Sequence, residues 1–123
     1  MLATAAGSGL LLAVTDLWVL ENLSLQVSAW INSCRCWAAC AFLLGFLLRA
    51  SVRHAAVGGV VMLLVAIETY YMCSGGYLPP HVSDLSQSDA GFWSAVAVPT
   101  GIAFGASGAW LRRGLILRGA RTR

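Results

Sequence analysis

The chain has 123 residues, of which 59% are hydrophobic and only 11% charged, well below the usual charged share of about 25% in soluble domains. A water-soluble fold of this size leaves too much of its area in contact with solvent to conceal so much apolar surface, so lipid is the solvent that fits. All eight basic residues behind the net charge of +3 are arginines, and seven of them flank apolar stretches, a headgroup-binding pattern rather than a nucleic-acid signature.

Residues 2–20 are apolar except for Asp16 and read as a first membrane span. No basic residue precedes them, as a cleavable signal peptide would require, so the span is expected to be retained. The segment 21–29 suits a short amphipathic turn along the outer surface. Its Asn22-Leu23-Ser24 matches a glycosylation acceptor, a match common by chance. The second span is drawn from Trp30 to Leu48, with Arg35 near its start. A short segment holding Arg49, Arg53 and His54 then leads into a third span, Ala55 to Cys73, which contains Glu68. Such a short connection makes spans two and three antiparallel neighbours.

Ser74 to Asp89 holds Gly75-Gly76, Pro79-Pro80 and several serines, and reads as a longer outer loop that includes His81. The fourth span, Ala90 to Leu111, carries no charge. Pro99 at its centre removes one backbone donor and predicts a kink. Residues 112–123 form a basic tail. Each span is close to the ~20 residues a helix needs to cross about 30 Å of hydrocarbon. Helices are required because lipid offers no partner to an unpaired backbone group. The fold class is therefore all-α, an integral membrane four-helix bundle forming a single domain.

Arg49 and Arg53 lie between spans two and three, and Arg112, Arg113, Arg118, Arg121 and Arg123 follow span four. The other connections carry Glu21, Asp84 and Asp89 instead. Arginine-rich loops stay on the cytoplasmic side, so both the N and C termini are expected to be cytoplasmic. Trp18, Trp30, Tyr70, Tyr71 and Trp93 cluster at the proposed outer ends, with Trp110 at the inner end of span four, as amphipathic rings prefer. An RNA-binding tail would need stacking aromatics, and Trp110 alone accompanies the basic residues. The expected partners are the lipid bilayer and either a second copy or an unidentified membrane protein, with no nucleic acid.

Membrane helices associate where small residues let backbones approach. Ala5, Gly9 and Ala13 form such a stripe in the first span, and Cys34, Ala38, Ala41 and Gly45 in the second. Ser94, Val98, Gly101, Gly105 and Gly108 form one in the fourth, including a GxxxG unit. That unit serves packing within the chain or a homodimer equally well.

Asp16, Arg35 and Glu68 are the ionisable residues within the spans. At about 1.5 Å per residue each lies roughly 6–8 Å below the outer end of its helix, and Asp16 follows Gly9 and Ala13 on the packed side. An unpaired charge at depth costs at least ~2.5–3.5 kcal/mol, so pairing among the three is expected. They form either a structural polar staple or an ion or proton site. Glu68, flanked by Tyr70 and Tyr71, is the better carrier of proton chemistry. Cys34, Cys36, Cys40 and Cys73 all fall in the outer half. Cys36 or Cys40 is a candidate for a disulfide with Cys73, against the alternative of inert apolar packing. No histidine accompanies them at that depth, so no metal is expected, and no cofactor either.

Several further features run together: Asn32-Ser33, the Gly45 to Arg49 exit, Arg53 with Ala55-Ala56 and Gly58, and Tyr70-Tyr71. Phe92-Trp93 then leads to Gly101, Phe104-Gly105, Gly108, Trp110 and Arg112-Arg113. In these the chain, from Gly9 to Gly114, resembles an uncharacterised family of multi-pass membrane proteins common in actinobacteria, whose members tend to be longer. The resemblance implies a location and a fold class, with no activity. Exclusive use of arginine with much alanine and glycine suits a high-GC genome. Small multidrug transporters place their coupling carboxylate in the first span, whereas Glu68 is in the third, and that match is rejected. The expected role is a non-enzymatic structural, accessory or transport-related component of a bacterial cytoplasmic membrane. The alternatives are a small proton- or cation-coupled transporter using Glu68 and Asp16, a quinone-linked thiol oxidoreductase, and a holin-like pore former. The C-x-C and C-x-x-x-C spacings count against the oxidoreductase, which usually shows C-x-x-C.

Overall fold

The computed structural model describes residues 1–24, 26, 33–74 and 80–121. They form four helices and no strand: α1 (Leu2–Asn22), α2 (Cys34–Leu47), α3 (Val52–Ser74) and α4 (Pro80–Arg121). Three helices are long and apolar enough to cross a membrane: Leu2–Asn22, Val52–Cys73 and the Ala90–Arg118 part of α4. The fourth, α2, is apolar but shorter. Its 14 residues cover about 21 Å, less than the hydrocarbon thickness. The expected second span began at Trp30, which lies outside the described residues.

Local chemistry sets the helix ends. Ser51 caps α3, its Oγ accepting the backbone N–H of His54 at 3.3 Å and lying 2.6 Å from His54 Nδ1. This satisfies one of the donors that a helix start leaves without a partner. His54 is therefore engaged in the capped first turn of α3. The C-terminal end of α2 is satisfied from another helix: the Arg112 guanidinium donates from Nη1 to the Leu48 carbonyl and from Nη2 to that of Ala50, the latter at 3.2 Å. A cation at a helix C-terminus is also favoured by the helix dipole.

The outer loop expected over Ser74 to Asp89 is corrected in its second half. Helix α4 starts at Pro80, so residues 81–89 are helical, while 75–79 lie outside the described residues. Proline at the first helical position has its ring angle pre-set and loses no needed bond. The polar run after it limits membrane insertion, not helix formation. The helix continues through Pro99.

Contacts between glycines and backbone fix the register. Gly9 of α1 abuts Met62 of α3, and Gly58 of α3 lies nearest Ala5 on that side, so α1 and α3 run parallel. Gly59 meets Gly101, and Gly105 meets Ala55, so α3 and α4 run antiparallel. Gly45 meets Gly105, while Trp37 of α2 stacks near Tyr70 of α3 and Leu48 lies by Gly58. Helix α2 is thus antiparallel to α3 and parallel to α4. The start of α1 and the end of α4 consequently lie at one end of the bundle, together with the α2–α3 connection and its Arg49 and Arg53.

The core lies between these helices. One cluster joins Ala41, Leu63, Ile67 and Ala97; another joins Ala5, Leu44 and Met62. Large apolar side chains face outward on every helix, among them Leu11, Leu47, Val57, Met72, Phe92, Trp110 and Ile116. Contiguous exposure on this scale is an aggregation hazard in water and normal against lipid.

Candidate functional site: an aromatic cleft and a buried carboxylate

The small-residue stripe of α4 is consumed inside the chain. A side chain at Gly101 would strike the backbone of Gly59 and Val60; at Gly105, that of Ala55; at Gly108, that of Phe42 and Phe46. Gly45 faces Gly105 in the same way, and Gly9 faces Met62. Of the two uses open to the GxxxG unit, intramolecular packing is the one realised, and a homodimer would have to use another face. Gly59 supplies the complementary gap on α3. Its signal was the Gly58-Gly59 pair in an apolar helix, which pattern reading did not exploit.

The three charges expected within the spans do not converge. Asp16 is fully buried, on the same side of α1 as Ala5, Gly9 and Ala13. Both of its carboxylate oxygens lack a hydrogen-bond partner. The group facing it is the Trp37 side chain, whose Nε1 is also buried and outside bonding geometry. Glu68 is exposed and accepts a hydrogen bond from Ser94 Oγ at 3.2 Å across the α3–α4 seam. Arg35 is exposed and pairs with neither acid. The reason is helical geometry: two positions before Trp37, Arg35 points about 200° away around α2. The expected pairing is therefore corrected.

None of the four cysteines forms a disulfide. Cys40 packs against the Ala5–Leu44–Met62 cluster, whereas Cys73 is exposed at the far end of α3. The candidate bridge from Cys36 or Cys40 to Cys73 is not formed. Among the described residues no group of three His, Cys, Asp or Glu is placed to hold a metal. The side chains of His81, Asp84, Asp89, Arg121 and Arg123 lie outside the described residues.

Sequence reading missed one concavity. An open cavity of about 240 Å³ lies between α2, α3 and α4, lined by Cys34, Trp37, Leu63, Ile67, Tyr70, Tyr71, Trp93, Val96, Ala97 and Thr100. Its lining residues on α3 recur at three- and four-residue intervals, the spacing of one helix face. The Ala41–Leu63–Ile67–Ala97 cluster lies against Trp37 and Tyr71 and forms its floor. Trp37 and Tyr70 meet edge to face at 6.3 Å and 82°, and Tyr70 and Tyr71 at 5.5 Å and 87°, an arrangement that rigidifies aromatic walls. Trp37 belongs both to this cleft and to the surroundings of Asp16.

The model of a family described as "Family of unknown function (DUF6518)" matches residues 1–121. No curated protein and no solved structure matches the chain.

Proposed function

The chain belongs to the DUF6518 family of unknown function, and from the geometry we propose that it is a non-enzymatic structural or accessory component of a bacterial cytoplasmic membrane. It spans the bilayer several times, with both termini on the cytoplasmic side. Arg49, Arg53, Arg112, Arg113 and Arg118 gather at the end of the bundle that holds the start of α1 and the end of α4, which supports this orientation. The observation that carries the structural role is the glycine seam. Helix α4 meets α2 and α3 backbone to backbone at Gly101, Gly105 and Gly108, leaving no room for a path between them. Purification in mild detergent, followed by mass spectrometry of what accompanies the protein, tests it. A stoichiometric membrane partner supports an accessory role. Ion flux through proteoliposomes of the pure protein contradicts it.

A second reading, proton- or cation-coupled transport, has one observation in its favour: the buried, unpartnered carboxylate of Asp16. Intramembrane acids of that kind mark ion pathways by default. Glu68, exposed and bonded to Ser94, does not share a cavity with it. Proton flux abolished by Asp16→Asn and retained by Glu68→Gln would favour this reading over the first.

A further inference from the structure

We infer that the cleft between α2, α3 and α4 is a binding site for a lipophilic organic cation, such as an aromatic quaternary ammonium, with Asp16 as its counter-charge. Four aromatic side chains line one small cavity: Trp37, Tyr70, Tyr71 and Trp93. The faces of such rings carry negative quadrupole charge, and indole and phenol rings grouped around one space are the usual receptor for quaternary ammonium groups. No basic side chain is among the lining residues. The basic residue nearest along α2, Arg35, is exposed and sits two positions, about 200° around the helix, from Trp37.

A second, independent observation points the same way. Asp16 is fully buried with both oxygens unpartnered, and it faces Trp37, the residue that forms the cleft's wall on α2. Asp16 thus places a carboxylate next to the indole that walls the cleft on α2. The desolvated setting strengthens its attraction for a bound cation, since little water intervenes to screen it. The remaining lining, Leu63, Ile67, Val96 and Ala97, suits the apolar body of such a molecule. Pockets for small ligands are commonly apolar with a few convergent polar groups. This site goes beyond the structural or accessory role proposed above and stands whether or not a partner protein exists.

The test uses the full chain in nanodiscs of neutral phosphatidylcholine, which removes headgroup attraction for cations. Labelled benzyltrimethylammonium is measured by equilibrium dialysis. Neopentylbenzene, which has the same shape without the charge, serves as competitor. The expected result is saturable binding of the cation, with the neutral isostere at least ten-fold weaker. Asp16→Asn should weaken binding ten-fold or more without lowering the unfolding temperature. Trp93→Leu, at the half-exposed rim, should weaken it as well, and Arg35→Gln should leave it unchanged or tighten it. Absence of saturable binding, equal competition by neopentylbenzene, or unaltered affinity in a folded Asp16→Asn protein would each overturn the proposal.

Discussion

Replacing Gly105 with alanine probes the seam that holds α4 in the bundle. The added Cβ would lie 2.5 Å from the Ala55 carbonyl oxygen and 3.2 Å from its carbon, where a carbon–oxygen contact needs well over 3 Å. The obstacle is backbone on a packed helix, so no side chain can rotate away. Helices α3 and α4 must separate by roughly 1 Å, which forfeits a quarter to a half of each dispersion contact along the seam. Overpacking of this kind costs about 1–3 kcal/mol. Against it stands the helix propensity of alanine, up to about 1 kcal/mol better than glycine. The net expectation is a loss of about 1–2 kcal/mol. Gly7→Ala is the control, because nothing lies within 4 Å of its Cβ position. That variant keeps the propensity gain and should be neutral or slightly stabilised. Thermal unfolding in mild detergent, followed by circular dichroism, distinguishes the two. Equal unfolding temperatures for Gly105→Ala and Gly7→Ala would refute the close backbone approach.

Arg112→Gln removes the donors to Leu48 and Ala50 and should destabilise by about 1.5–3 kcal/mol, the scale of charged hydrogen bonds; exposed Arg113→Gln should fall within about 0.5 kcal/mol of the parent in the same melts. Ser51→Ala deletes the α3 cap and should cost about 1 kcal/mol, read as faster amide exchange in the first turn of α3. Glu68→Gln keeps an oxygen for Ser94, so stability should change little, and a large drop would mean the carboxylate has a charged partner. With no disulfide among the four cysteines, titration of the unfolded protein without reductant should find four reactive groups, and two would reveal a bridge.

What was legible in the chain was what one helix decides alone. The apolar lengths placed α1 and α3 within a residue or three of their observed ends, and the spacing of Gly101, Gly105 and Gly108 marked the face that packs. The position of Asp16 on the packed side followed from its step after Gly9 and Ala13. What two or more helices decide together was not legible. The fate of Arg35 depends on which side of α2 packs against α3 and α4, and Trp37, which lies on that side, has no special mark in the sequence. Arg112 looks like any juxtamembrane arginine until α4 brings it to the end of α2. Residues 81–89 read as loop on the strength of the turn formers Gly75-Gly76, Pro79-Pro80 and the serines, although proline also opens helices and a helix need not be apolar along its whole length.

The account rests on a bilayer-embedded bundle whose two termini share the arginine-rich side. Attaching a small epitope to each end in turn, and probing intact spheroplasts with antibody before and after permeabilisation, tests this directly. Both epitopes should be detected only after permeabilisation, and in the membrane fraction. Detection of either epitope on intact spheroplasts, or recovery of the protein in the soluble fraction without detergent, would contradict it.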